Sequence, residues 1–231
     1  MVDLNDPSVV YFSLFDILTN CAFPSKSNMG QGEKYINFIN RYSSWKYKSY
    51  ISYLQLECIL KDIKNEDLKN QIKAKIDISR LKTYNIFRHK PKMPVDKVDF
   101  TEEKLKKGLS SSQLKLYEKY KVKIHKARYD NLFYKFRCFV VHELRLPIPN
   151  ASNIYVNSEE PLYFKYTEIL NEEKEGKRIK LEPSCRLYFS PKLILLILEE
   201  CIKKSKEEIN YDDNYYKLHE AIPKCWIGKK V

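Results

Sequence analysis

One stretch of the sequence, Tyr129 to Pro147, constrains the fold more than any other. Its apolar residues recur at steps of three and four, which is the period of a helix with one buried face: Tyr129, Phe133, Phe136, Val140 and Leu144. We expect this helix to end near Pro147, because proline cannot continue a helix and biases the preceding residue toward extended geometry. The rest of the chain is expected to be organised around this aromatic helix.

Polar side chains interrupt the same helix, among them Arg137, His142 and Arg145. Unpaired basic groups are costly to bury, so they either face water or line a cleft. Arg137 and His142 lie five residues apart, which is about 140° of rotation and roughly 7.5 Å of rise. A guanidinium can hold a phosphate and an imidazole can move a proton, so the two could cleave RNA without a metal. The alternative is structural, with Arg137 paired to an acidic neighbour and His142 in a core hydrogen bond.

The segment Arg-Cys-Phe-Val-Val-His, from Arg137 to His142, resembles the Arg-x4–6-His signature of the HEPN superfamily (higher eukaryotes and prokaryotes nucleotide-binding domains). Its flanks, Tyr-Lys-Phe before and Glu-Leu-Arg-Leu-Pro after, are similar to those of HEPN-like proteins from microbial defence and toxin systems. The resemblance covers only the stretch from Tyr129 to Pro147. It implies a helical bundle that is usually dimeric. It also implies a metal-independent endoribonuclease whose active site combines the motifs of both subunits.

Carried over to this chain, the resemblance assigns Arg137 to the phosphate and His142 as the general base toward the 2′-hydroxyl, with 2′,3′-cyclic phosphate products. Two positions depart from the family pattern. A polar residue commonly follows the motif arginine, where this chain has Cys138. Leu144 replaces the tyrosine of toxins that nucleotidyltransferase antitoxins silence, so that form of control is not supported. Further residues are predicted to bind RNA or to support the site: Tyr134, Lys135, Cys138 and Arg145.

Three functions follow as hypotheses. The first is an endoribonuclease that acts in the cytoplasm, without a cofactor, as a toxin or antiviral-defence effector. Its expected partners are RNA and a second copy of the chain, and an antitoxin or regulatory protein is a further candidate partner. The second is a non-catalytic HEPN-like RNA-binding or scaffold protein. The third and least favoured is a metal nuclease, because Glu172-x-Lys174 and Glu102-x-Lys104 superficially match the Glu-x-Lys of restriction-type folds but lie in charged runs.

Composition agrees with a polyanion partner and with reducing surroundings. The chain has 42 basic and 30 acidic residues, a formal charge of +12, and a basic surface favours RNA, DNA or an acidic membrane. Lysine richness can also reflect the base composition of the genome. The six cysteines and four histidines show no zinc-ligand spacing, and a chain of this size needs no disulfide. The longest apolar run, Leu193 to Leu198, is far too short to span a membrane.

Scarce glycine and long periodic segments favour a mainly α fold, specifically a HEPN-like helical bundle with an appended β-hairpin. We expect one domain over 1–231. It comprises a helical bundle over 6–146, a hairpin over 161–189 with alternating apolar residues, and a C-terminal helix and tail over 190–231. Ser190-Pro191 has the cap-then-proline pattern of a helix start.

Within the bundle, periodicity and cap residues predict individual elements. Helices are expected over Val9–Leu18, Glu33–Tyr42 and Tyr47–Ile63, from Asn65 to about Ile78, after Thr101, and unbroken from Ser111 into the central helix, with a loop over Leu81–Val98. Four aromatic residues are expected in the core and at its rim, with base stacking as the alternative: Trp45, Tyr47, Tyr50 and Tyr53. Six basic residues precede the central helix and either guide RNA or form a solvated face: Lys115, Lys119, Lys121, Lys123, Lys126 and Arg128.

Overall fold

The computed structural model of the protein describes residues 7–23, 28–142, 157–169 and 181–209. These residues are mainly helical. Their α-helices, in chain order, are α1 (Pro7–Ala22), α2 (Gln31–Tyr42), α3 (Tyr53–Leu60), α4 (Glu66–Phe87), α5 (Glu102–Lys106), α6 (Ser111–His125), α7 (Tyr129–His142) and α8 (Pro191–Ser205). Their strands are β1 (Tyr50–Ile51), β2 (Lys92–Pro94), β3 (Phe100–Thr101), β4 (Leu162–Ile169) and β5 (Leu181–Tyr188).

Side-chain caps set the starts of three helices where the sequence predicts them. The Asn65 side chain accepts a hydrogen bond from Leu68 N at the start of α4. Thr101 does the same for α5 and Ser190 for α8, which begins with Pro191. Each cap satisfies a backbone N–H that the first turn of a helix leaves unpaired. The predicted helices over Val9–Leu18 and Glu33–Tyr42 are also confirmed, as α1 and α2.

The single long helix expected from Ser111 into the central stretch is wrong, because α6 ends at His125 and α7 begins at Tyr129. Backbone contacts from a distant segment hold the break. Ser52 N donates to Ala127 O at 3.0 Å and Asp130 N donates to Lys48 O at 3.2 Å. Periodicity cannot register such tertiary hydrogen bonds, which take over the backbone groups that a continuous helix would use.

Two further boundaries differ from the prediction. The helix expected over Tyr47–Ile63 starts only at Tyr53, because Tyr50 and Ile51 pair as β1 with β3. Helix α4 continues to Phe87, well beyond Ile78, and part of the expected Leu81–Val98 loop is therefore helical. The remainder contains β2, a short strand at the edge of the sheet.

The predicted hairpin is confirmed as the antiparallel pair β4 and β5. It belongs to a three-stranded sheet in the order β2-β4-β5, in which Tyr163 lies between Met93 and Leu187. Tyr163, Phe164 and Tyr188 are buried, so at this end the hairpin forms part of the core rather than an appendage. The predicted polar turn over 171–177 and the tail after Tyr211 lie outside the described residues.

The core is aromatic and surrounds α7, which packs against α1 and α2 and receives rings from the end of β5. Trp45, Tyr47 and Tyr53 are buried, and Tyr50 is half-buried. The core interpretation of these four aromatic residues therefore holds over base stacking. Within the described ranges, no helix has both the length and the apolarity to cross a membrane.

Candidate active site

Helix α7 is fixed in position by aromatic rings on several elements. The Phe133 ring centroid lies 5.3 Å from that of Phe12, 5.4 Å from that of Trp45 and 5.3 Å from that of Phe189. The first and last of these pairs meet edge to face, the geometry that the ring quadrupole favours, and such pairs contribute about 0.5–1.5 kcal/mol each beyond their buried area. The backbone that carries the Arg-x4-His motif is therefore a rigid support.

Arg137 forms a two-pronged ion pair with Asp16 of α1. Its Nε donates to both carboxylate oxygens at 3.1 Å, and its Nη2 donates to Oδ2. The two side chains are only 8% and 19% exposed. This fork-to-fork geometry is the strongest form of an arginine–carboxylate contact. It joins the middle of α1 to the middle of α7.

Electrostatics keep Arg137 charged. Burial opposes the charge on Arg137, but the hydrogen bonds and the negative charge of Asp16 outweigh it, so the pKa of the guanidinium is raised above its ordinary value. Arginine is already cationic throughout the pH range in which proteins are folded, and this shift strengthens that preference.

Tyr134 and Cys138 lie beside the pair. The guanidinium carbon of Arg137 is 6.0 Å from the Tyr134 ring centroid, and its Nη1 is 3.9 Å from Cys138 Sγ. Tyr134 packs on Tyr35, with ring centroids 5.3 Å apart. Gly32 of α2 faces the same ring so closely that an added Cβ would come within 2.8 Å of Tyr134 Cε1. Three of the predicted site residues are thus adjacent.

Lys135 is not part of this cluster. It is exposed and lies two residues before Arg137, which is about 200° away around the helix. His142 is the last residue of α7, so the structure places the motif histidine on the same helix as Arg137. The side chain of His142 and the whole of Arg145 lie outside the described part of the chain.

Of the placements that the sequence left open for Arg137, the structure shows the one in which it pairs with an acidic residue, and not the one in which it faces a solvated cleft. Its side chain is buried because Asp16, which precedes it by 121 residues, supplies the compensating carboxylate. No local sequence pattern links Asp16 to Arg137, because Asp16 is a single charged residue in a mostly apolar helix far away along the chain. The only available signal was that a buried arginine needs a partner of opposite charge.

The described residues contain no group of three or more His, Cys, Asp or Glu side chains that could hold a metal ion. Glu102, of the second Glu-x-Lys match, is held by Lys106 Nζ at 3.0 Å and lies 3.1 Å from His125 Nε2. Burial opposes its charge, but the contacts with Lys106 and His125 outweigh that effect and lower the pKa of Glu102 to about 2. Glu172 and Lys174 lie outside the described residues. Glu102 therefore acts as an ion-pair partner in the described part of the chain.

A second polar cluster, which the sequence did not reveal, lies at the start of α7. Asp99 is buried and accepts hydrogen bonds from Tyr129 Oη, from Tyr163 Oη at 2.8 Å and from Tyr53 N at 3.1 Å. Burial raises the pKa of Asp99 to about 7, although the three donors favour the charged form. This network ties α3, α7 and β4 together. The one hint in the sequence was an aspartate between Val98 and Phe100.

Comparison of the chain with models of protein families, with curated proteins and with solved structures finds no match. Its function has to be inferred from its own residues.

Proposed function

We propose that this protein is a metal-independent endoribonuclease of HEPN type that acts as a toxin or antiviral-defence effector. One observation supports this above the others: α7 runs unbroken from Tyr129 to His142, so both motif residues belong to one rigid helix. Asp16 holds in place the guanidinium of Arg137, the first of these two motif residues. Preorganised charge of this kind is what stabilises a transition state without reorganisation at the moment of reaction.

In the proposed reaction, the His142 imidazole removes the proton from a ribose 2′-hydroxyl. The 2′-oxygen then bonds to phosphorus as the bond to the 5′-oxygen of the next nucleotide breaks. The leaving 5′-oxygen takes up the proton that His142 removed, directly or by way of water. The products are a 2′,3′-cyclic phosphate and a 5′-hydroxyl, His142 returns to its neutral form, and no oxidant or reductant is needed. Arg137 supplies positive charge for the phosphorus oxygens.

The proposal includes a two-fold homodimer in the cytoplasm, in which two copies of the motif share one RNA-binding cleft. An antitoxin or regulatory protein is its expected further partner. Sedimentation at tens of micromolar should give a dimer. A monomer at that concentration would contradict the composite site while leaving a single-subunit site to be tested by mutation.

The decisive comparison is cleavage of single-stranded RNA by the wild type and by His142→Ala, each with and without EDTA. We expect cleavage by the wild type in both buffers and none by His142→Ala. Asp16→Asn should lower the rate without abolishing it, because Arg137 remains but is less firmly oriented. Full activity in His142→Ala would refute the proposed mechanism.

The burial of Arg137 favours a second candidate, a non-catalytic HEPN-like RNA-binding protein. At 8% exposure and paired with Asp16, Arg137 is placed as a structural arginine would be. This candidate predicts RNA binding by the wild type with no cleavage under any condition. It also predicts equal RNA affinity for His142→Ala and the wild type.

A further inference from the structure

The outward side of α6 carries a row of lysines. Lys115, Lys119 and Lys126 are all exposed. Their positions fall within about 40° of one another around the helix axis and are separated by about 6 Å and about 10.5 Å along it. We call these three residues the α6 lysine row. Val122, which is 79% exposed, lies in the same row and adds an apolar side chain between the charges.

Within the part of the chain that the structure describes, no acidic side chain forms an ion pair with this row. Glu118 is the one acidic residue of α6, and it is already engaged by Lys106 at 3.1 Å and Lys121 at 3.2 Å. Those two lysines hold the pKa of Glu118 below its ordinary value. None of the three lysines in the row forms an ion pair or a side-chain hydrogen bond with another residue in the described part of the chain.

The structure also separates this row from the neighbouring basic residues, which have internal partners. Arg128 Nη2 donates to Asp130 Oδ2 at 2.6 Å, and its Nη1 lies 3.6 Å from Glu102. Lys123 Nζ donates to the carbonyl of Asp62 at 3.3 Å. Of the six basic residues singled out in the sequence, only Lys115, Lys119 and Lys126 are exposed and without such a partner among the described residues.

We propose that the α6 lysine row binds the phosphate backbone of single-stranded RNA. This inference rests on the proposed function, because it assigns the surface along which the RNA substrate of that function lies. The α6 lysine row is a single line of positive charges along a helix, and it therefore matches the single phosphate backbone of one RNA strand. Each lysine meets one phosphate, while Val122 contacts the sugar or base between them. Neutralising phosphates releases condensed counterions, so such binding weakens as salt rises.

The test replaces all three lysines of the row by alanine, which keeps the helix propensity of α6. A matched control removes the same charge from three other exposed lysines that form no ion pair or side-chain hydrogen bond within the described residues: Lys73, Lys82 and Lys97. The probe is a short fluorescein-labelled oligouridine, followed by fluorescence anisotropy over a salt series. Both variants are first compared with the wild type by circular dichroism and melting temperature.

We expect the row variant to bind roughly 100-fold more weakly than the wild type near 0.1 M salt, since three phosphate contacts contribute about 0.7 each to the slope of log K against log salt. That slope should fall by about 2, whereas the control should change affinity only several-fold. Equal weakening in both variants would show that only net charge matters. Unchanged binding in the row variant would show that RNA lies elsewhere. Either result would overturn the inference.

The same proteins separate this inference from the proposed function. In one outcome, the wild type binds RNA without ever cleaving it, while the row variant loses that binding. This result would support the α6 lysine row as the RNA-binding surface and refute the proposed nuclease activity. If the row variant still binds and cleaves RNA, the α6 lysine row is refuted as the RNA-binding surface, while the proposed nuclease activity is supported. Vesicles of neutral and acidic phospholipid serve as a second probe. In a third outcome, the row substitutions weaken binding to acidic vesicles but leave RNA binding unchanged. That result would show that the α6 lysine row contacts a membrane surface and would refute RNA as its ligand.

Discussion

Replacing Arg137 by alanine should destabilise the fold measurably. The ion pair with Asp16 is two-pronged and its side chains are 8% and 19% exposed. Arg137→Ala takes the guanidinium away from a largely buried carboxylate. Breaking a fully buried pair costs 3–5 kcal/mol, and with Asp16 partly exposed we expect about 3 kcal/mol. For a chain of this size that lowers the melting temperature by about 6–12 °C.

The assay is urea unfolding of the wild type, Arg137→Ala, Asp16→Ala and the double variant. The double variant should lose less than the sum of the two single variants, with a coupling of about 2 kcal/mol, because it leaves no stranded charge. Arg41→Ala is the matched control, since Arg41 pairs with Glu208 at 2.6 Å but the two side chains are 59% and 48% exposed. An exposed pair of this kind contributes below about 1 kcal/mol.

A melting temperature of Arg137→Ala equal to that of the wild type would refute this reasoning, as would a coupling near zero. Either result would restore the interpretation in which the guanidinium faces solvent. The outcome also decides how activity data are read. If Arg137→Ala is partly unfolded, its loss of activity says nothing about catalysis, and His142→Ala becomes the informative variant.

Two further predictions concern stability. Folding raises the pKa of Asp99 from 3.8 to about 7, so its contribution is largest below about pH 4 and declines by up to ~4 kcal/mol as pH rises through 7. Urea unfolding across this range should show a flatter pH dependence for Asp99→Asn than for the wild type, and identical slopes would contradict the assignment. Gly32→Ala should destabilise by about 1–2 kcal/mol despite its better helix propensity, because its Cβ would meet Tyr134 at 2.8 Å. Gly30→Ala, with nothing within 4 Å of its Cβ, should lose less than about 1 kcal/mol, and equal losses would refute the close approach.

Local signals predicted the starts of the helices that have side-chain caps at the expected residues, and tertiary contacts decided several of the other helix boundaries. Thr101 and Ser190 cap α5 and α8 as expected, because a cap depends on residues three positions apart. The break between α6 and α7 depends on Ser52 N donating to Ala127 O, a partner far away in sequence. Strand β2 was missed for the same reason, since its three residues become a strand only by pairing with β4.

The candidate site was predicted in its sequence positions but not in its surroundings. The motif gave Arg137 and the helix that carries it, because both are local features. Asp16 could not be found, since a single aspartate in an apolar helix has no spacing relation to Arg137. The same holds for Asp99, whose tyrosine donors come from two other elements. Residues that come into contact only through folding are not related by any local periodicity in the sequence, so pattern analysis does not identify such pairs.

The most direct test of the central claim uses a defined single-stranded RNA, cleaved in EDTA by the wild-type protein, and the same RNA with a 2′-deoxy nucleotide at the cleavage site. We expect cleavage of the first RNA to leave a 2′,3′-cyclic phosphate, because the 2′-oxygen is the nucleophile and no metal is needed. We expect the deoxy substitution to block cleavage at that site. Cleavage that persists at the deoxy position, that requires a divalent metal, or that is absent from folded wild-type protein would contradict the assignment of this chain as a metal-independent endoribonuclease.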